Sequence, residues 1–192
     1  MSKQNKKLRT FVTIAMLGSV SFILMLFNFP LPMFPSFLEI DFSDVPALIA
    51  AITMGPFAAI AVEIIKNVLD WLFSGSPTGV PVGHMANLSS AILFIFPVWA
   101  VHKKFPNMKG FVSGLALGTV VMAAGMALLN YVAFLPMYGY FLNFHVDDML
   151  GMAVKAILPF NIVKGILLIV ISSLLYRSLK VWIEKQKLSY SK

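Results

Sequence analysis

The sequence predicts an all-α integral membrane protein with six transmembrane helices and both termini cytoplasmic, and three observations predict it. Hydrophobic residues make up 59% and charged residues only 12% of the 192 positions, against roughly 45–50% and 25% in soluble globular domains. The apolar residues, at a mean hydropathy of +0.86, are gathered into long runs, several near the ~20 residues that a helix needs to cross a hydrocarbon core of about 30 Å. The charges are also sorted. Lys3, Lys6, Lys7 and Arg9 precede the first run, Lys103, Lys104 and Lys109 occupy a central loop, and Arg177, Lys180, Lys185, Lys187 and Lys192 follow the last run. That is twelve of the 15 basic residues, and the positive-inside rule puts both termini and the central loop in the cytoplasm. The net charge of +7 therefore reads as membrane topology and gives no reason to expect a nucleic-acid partner.

The elements follow in order within one membrane domain over 1–192. The first helix is predicted over 10–29. Its apolar run is longer than a signal-peptide core of roughly 7–15 residues and lacks a small-residue cleavage site, so it stays in the bilayer. Pro30, Pro32 and Pro35 then stop it, each fixing φ and removing a donor. In the outer segment 30–43, Phe34, Phe37 and Phe42, with Phe29 just before them, alternate with Glu39 and Asp41 and lead to Asp44. A segment apolar enough to bury itself, yet charged, reads as the lid or wall of a cavity. The second helix, 44–54, has Asp44 as a candidate cap and Pro46 in its first turn. It is too short to cross, so the segment before it must dip into the outer leaflet. Helix 56–73 and the turn-rich SGSPTGVP come next. Helix 83–101 carries Pro97, and helix 110–135 carries Gly110, Gly114 and Gly118 at the spacing of close helix contact. An outer loop over 136–149, a short apolar helix and a final helix over 159–179 complete the chain. No internal repeat marks it as an inverted-repeat transporter.

Several chemistries are excluded. The chain has no cysteine, so disulfides, thiolate metal sites and cysteine nucleophiles are absent. His84, His102 and His145 are far apart, with His102 on the opposite side from the other two, so no metal site is expected. No phosphate-binding G-x-x-x-x-G-K-[ST] motif is present. Asp147 and Asp148 beside His145 read as a solvated loop. No catalytic residue is expected.

Polar groups inside the helices say more. Glu63, Lys66, Asn67 and Asp70 recur at i, i+3, i+4 and i+7 and share one helix face. Intramembrane charge is costly and is usually paired or lines a pathway. A structural ion network of Glu63, Lys66 and Asp70 is the favoured reading; direct ligand contact and proton relay stay open. Asn130, Asn161 and Lys164 fall at a similar depth near the outer side. Interhelical hydrogen bonding and a snorkelling lysine are the plain alternative. Their convergence favours a polar pocket, whose donors and acceptors suit a polyhydroxylated chain. Thr78, Gly79 and Asn87 are further ligand candidates, with an ordinary turn as the competing reading.

The run FLEIDFSDVPALIAA at 37–51, followed by GPFAAIAVEIIKN at 55–67, closely resembles the riboflavin-specific substrate-binding (S) component of energy-coupling factor vitamin transporters. The resemblance extends to about Lys180. It implies a non-enzymatic subunit that captures riboflavin outside the cell and delivers it inward. Riboflavin is then the transported ligand and no cofactor is implied. The implied partners are a transmembrane coupling (T) component, two ABC-type ATPase subunits and the lipid bilayer. The resemblance assigns Asn130, Asn161 and Lys164 to the vitamin's ribityl chain. The fused rings need a flat apolar slot, which the loop phenylalanines, including Phe42, can supply with Leu38 and Ile40. Backbone groups of 39–44, or the Glu39 and Asp41 carboxylates, can meet the ring N–H. Family members contact the T component through an A-x-x-x-A pattern that falls on Ala15 and Ser19 here, the serine being a departure. Two rivals stand beside this reading. One is an S component for another vitamin or for flavin mononucleotide. The other is a membrane enzyme acting on a lipid or isoprenoid, which would need acids or histidines on a cytoplasmic face that is nearly all lysine and arginine.

Overall fold

The computed structural model describes residues 3–142 and 147–191. Helix α1 (Lys3–Met25) stops ahead of the Phe29 end read from the sequence. The N–H groups of Leu26 and Phe27 turn onto the carbonyls of Phe22 and Leu24, both at 3.2 Å. Phe29–Pro30 then forms β1, which pairs antiparallel with β2 (Glu39–Ile40), Phe29 facing Ile40 and Pro30 facing Glu39. The segment read as irregular is therefore a short hairpin. A ribbon of two strands has two edges, which is why Pro30, with no N–H to donate, is accommodated in it.

The short helix α2 (Asp44–Met54) is the centre of the molecule. Nine of its 11 residues are buried, Ala47, Ala50 and Ala51 almost completely. It touches α1, α3 (Pro56–Ser74), α4 (Val82–Lys104) and α8 (Leu158–Ser191). Small side chains permit that approach, because within a bilayer helices are held by close packing and not by exclusion from water. At Gly55 the chain reverses with φ 101°, a conformation that a side chain would strain, and Pro56 starts α3.

Helix α5 (Met108–Leu129) begins at Asn107, whose side chain accepts from the Gly110 N–H at 2.8 Å. The glycine spacing does what it predicts. A Cβ on Gly118 would lie 2.5 Å from the Phe94 carbonyl oxygen, and one on Gly114 3.1 Å from the Val98 Cα. Backbone thus meets backbone where α4 crosses α5.

Past Leu129 the chain does not stop at Pro136. A π-turn over Asn130–Phe134 carries it into α6 (Leu135–Leu142). The last helical stretch likewise starts before Pro159. Asp148 caps α7 (Met149–Met152), a second π-turn covers Ala153–Ile157, and α8 runs on through Pro159. Each π-turn ends two residues before a proline. A proline cannot donate to the carbonyl four residues back and its ring clashes with it; widening the preceding turn removes that conflict and keeps the helix going.

Among the described residues, four stretches are long and apolar enough to cross a membrane: Lys7–Met25, Val82–Lys104, Met108–Leu142 and Met149–Gln186. The two others of the predicted six fall short for different reasons. With 11 residues, α2 spans only about 16 Å at 1.5 Å per residue, while α3 carries Glu63, Lys66 and Asp70. The Arg9 guanidinium donates to Gln186 Oε1 at 2.7 Å, so the start of α1 and the far part of α8 lie at one end of the bundle.

Candidate ligand-binding site

Five ionisable side chains from the outer segment, α2, α3 and α8 meet in the interior. Lys66, with no exposed surface, places Nζ 2.8 Å from Asp44 Oδ1 and 2.5 Å from Glu63 Oε2. Lys164 lies 3.3 Å from the other Asp44 oxygen and 3.7 Å from Asp41 Oδ2. Asp41 is fixed in turn, its Oδ1 accepting from the Ser43 N–H at 2.7 Å and from the Ser43 hydroxyl. The Ser43 carbonyl accepts from Ser21 of α1 at 2.9 Å. Three carboxylates thus face two ammonium groups, and Asp44 joins both.

The sequence made Asp44 a helix cap. The structure instead puts Ser43 at the cap position, with no side-chain capping bond, and turns the Asp44 carboxylate inward. The signal was present in α2 itself. A helix apolar on every side is buried on every side, so its one acid has to find partners inside. Asp70 also departs from the expected network. It belongs to a second cluster at the far end of α3, accepting from Ser74 at 3.0 Å and meeting His84 Nε2 at 2.9 Å. Lys66 is drawn to Asp44, on the neighbouring helix, and to Glu63, one turn behind it. Nothing in the spacing of helix 3 alone pointed to the His84 partner.

The hairpin segment covers this region. The Phe34 ring meets Phe160 of α8 edge-on at 5.5 Å, and Phe37 lies 5.6 Å from Tyr138 of α6. Ile40 is fully buried, while Leu38 and Phe42 pack half-buried onto the core. Glu39 stays exposed at the rim of the segment. Partial desolvation, followed by the charges of Asp41 and Asp70, pushes its carboxyl above the ordinary value.

Beneath the cover the two π-turns lie against each other. Asn130 opens the first, its amide donating to the Met126 carbonyl at 2.8 Å; Asn161 follows the second and donates to the Ile157 carbonyl at 2.8 Å. Both amides are buried, and each keeps its side-chain oxygen as an acceptor. Lys164 is one turn beyond Asn161. π-Turns recur at functional sites because they break the regular ladder of carbonyls.

The remaining candidates have other surroundings. The Thr78 hydroxyl serves its own turn, meeting Ser76 at 2.9 Å and donating to the Val80 carbonyl. Gly79, with φ 72°, closes that turn onto Ser76. Asn87 accepts from Asn67 at 3.4 Å and ties α4 to α3. On α1, Ser19 is exposed and Ala15 half-buried, whereas Gly18 faces α3, where a Cβ would lie 2.6 Å from Ile65. Asp148 is spent on its cap, and His145 lies outside the described residues. One shallow cleft is bordered by Leu48, Phe111, Ser172 and Tyr176, and another by Pro56 and Phe96, the latter reaching the ion cluster at Glu63. Both walls are almost wholly apolar.

The family described as "ECF transporter, substrate-specific component" matches residues 9–176. The chain is 50% identical over 184 residues to "Riboflavin transporter FmnP" of Bacillus subtilis (strain 168), covering 94% of this chain and 97% of that protein. It is 39% identical over 185 residues to "Riboflavin transporter RibU" of Staphylococcus aureus (strain TCH60), covering 95% of each. A solved structure described under "Structure and mechanism of the S component of a bacterial ECF transporter" superposes with a TM-score of 0.80 at 38% identity, over 92% of this chain and 98% of that one.

Proposed function

The chain belongs to the substrate-specific components of ECF transporters, and from that premise we propose that it is the riboflavin-capturing subunit of such a transporter. The observation that carries the reading is the pair of facing π-turns, with Asn130 opening the first, Asn161 just beyond the second and Lys164 one turn further on, under an aromatic cover. Riboflavin joins a flat apolar ring system to a chain of hydroxyls. The amide oxygens accept from those hydroxyls and Lys164 donates to them. The rings of Phe34, Phe37 and Phe42, with Leu38 and Ile40, supply the flat slot. The carboxylates of Glu39 and Asp41, or backbone groups of 39–44, meet the ring N–H. Thr78, Gly79 and Asn87 have the weakest claim, since the first two serve their own turn and Asn87 is engaged with Asn67 of α3. Entry of the ligand requires the 30–43 segment to lift from Phe160 and Tyr138, a gating step of the kind other enclosed sites use.

The chain carries no nucleotide-binding motif, so a T component and two ATPase subunits supply the energy. The basic residues at the shared end of α1 and α8 support a cytoplasmic position for both termini. In this arrangement α2 and α3 complete six passes, the hairpin segment filling the outer leaflet above α2.

The test is flavin titration of the purified protein, read by quenching of flavin fluorescence. Wild-type protein should bind riboflavin and carry its yellow absorption when purified from cells that contain it. Asn161→Ala and Lys164→Ala should each weaken binding about fivefold or more, the loss of one hydrogen bond of about 1 kcal/mol or of a stronger charged one. Wild-type protein that does not quench flavin, or variants that titrate unchanged, would remove the reading or the residues respectively.

A further inference from the structure

We propose that Asp44 is a positioning residue of the ligand site, holding the Lys164 ammonium where it reaches a ligand hydroxyl; the inference rests on the riboflavin reading above. A lysine has a flexible four-carbon stem and a strongly hydrated head. Near the outer side of a membrane it extends toward water unless something holds it. Lys164 is nevertheless 4% exposed. Of the two acids that hold it, Asp41 is the more distant, at 3.7 Å, and its other oxygen is occupied by Ser43. Asp44 is nearer, at 3.3 Å, and is itself immobilised. It sits in the first turn of the most buried helix, with its second oxygen 2.8 Å from Lys66, which Glu63 holds in turn. The position of the Lys164 head is thereby set by α2 and α3 and not by α8 alone. Asp44 Oδ2 and Asp41 Oδ2 meet the ammonium as ion pairs at 3.3 and 3.7 Å, and Asp44 Oδ2 accepts no hydrogen bond, so the head keeps donors for a ligand.

This arrangement makes a distinction that general stabilisation of the fold does not. Asp44 acts on the ligand only through Lys164, so its effect is confined to the ligand groups that Lys164 meets. In riboflavin these are the ribityl hydroxyls. Lumiflavin has the same ring system with a methyl group in place of that chain.

The experiment titrates full-length wild type, Asp44→Asn, Lys164→Met and the Asp44→Asn/Lys164→Met pair with both flavins. Asp44→Asn keeps the shape and removes the charge. It should weaken riboflavin about tenfold or more, as expected for a hydrogen bond to a charged group, and leave lumiflavin within about twofold. In the Lys164→Met background it should weaken riboflavin no further. If Asp44→Asn alone does not fold, the triple variant Asp44→Asn/Glu63→Gln/Lys66→Gln, which leaves neither Glu63 nor Lys66 as an unpaired buried charge, is titrated in its place with the same expectation. Equal losses for the two flavins, or a further loss in the Lys164→Met background, overturn the assignment of Asp44 and leave the riboflavin reading standing. Wild-type protein that binds neither flavin overturns that reading, and this inference with it.

Discussion

Lys66 is fully buried and lies between two carboxylates, so the cost of a change depends on which partner is left behind. Lys66→Met strands Glu63 without an ammonium and leaves Asp44 with Lys164 alone. Breaking a buried pair in this way typically costs about 3–5 kcal/mol, and the melting temperature in detergent should fall sharply. Glu63→Gln leaves Lys66 paired with Asp44 and removes the one negative charge by which the cluster exceeds its lysines. That variant should melt close to wild type, within about 1 kcal/mol, as a neutral replacement with a retained partner does. The double variant should recover much of what Lys66→Met loses, because no acid of α3 is then stranded. A Glu63→Gln variant that melts as low as Lys66→Met would show that Glu63, and not Asp44, is the partner that matters to Lys66. A loss of flavin binding with unchanged melting would bring Glu63 into the ligand site.

Helices α4 and α5 meet through glycine, backbone against backbone. At Gly118 even a methyl group would sit 2.5 Å from the Phe94 carbonyl oxygen, a backbone atom that cannot swing aside. Gly118→Ala should therefore lower stability by about 1–3 kcal/mol, the range for overpacking, measured by thermal melting. Gly125→Ala meets only the flexible Leu93 side chain and should cost less. Equal losses at the two sites would mean that the helices separate freely. This contact was legible in the sequence, because the spacing of Gly114 and Gly118 signals close helix packing, whereas Gly110, the first of the series, makes room for Phe105 of the inner turn. So was the polar face of α3. The π-turns were not. Pro136 and Pro159 carry the same local signal whether a helix ends there or continues through a widened turn, and only packing of the two stretches decides. The hairpin was hidden for a related reason, since Pro30 argues against a strand wherever both edges are paired. Asp44 satisfied the local rule for a cap. It took the burial of all of α2, a property of the assembled bundle, to send its carboxylate to Lys66 and Lys164.

At the scale of the whole molecule, the polar interior and the outermost helix are separate structures that share one bundle. The ion cluster, the π-turns and the aromatic cover draw on α2, α3, α5, α6 and α8, while α1 packs along α2 and α3 and reaches the ion cluster through Ser21, which donates to the Ser43 carbonyl. Most of α1 faces outward, with Phe11, Met16 and Ile23 exposed beside Ser19. Small residues on an exposed membrane helix admit a second helix closely, and Ser19 spends its hydroxyl on the Ala15 carbonyl at 3.0 Å, leaving that strip without an open polar group. On the proposed function such a strip is where a helix of the T component would dock, since it faces away from the α2 and α3 side of α1. Ala15→Trp should accordingly leave flavin titration of the isolated protein within about twofold of wild type, as expected for a change that strands no buried ligand group. Co-purification with the T component and the ATPases should be lost, and with it ATP-driven riboflavin uptake in proteoliposomes, because the indole holds the helices apart. Weakened flavin binding in the isolated variant would place α1 at the pocket, and uptake at the wild-type rate would show that the T component docks on another face.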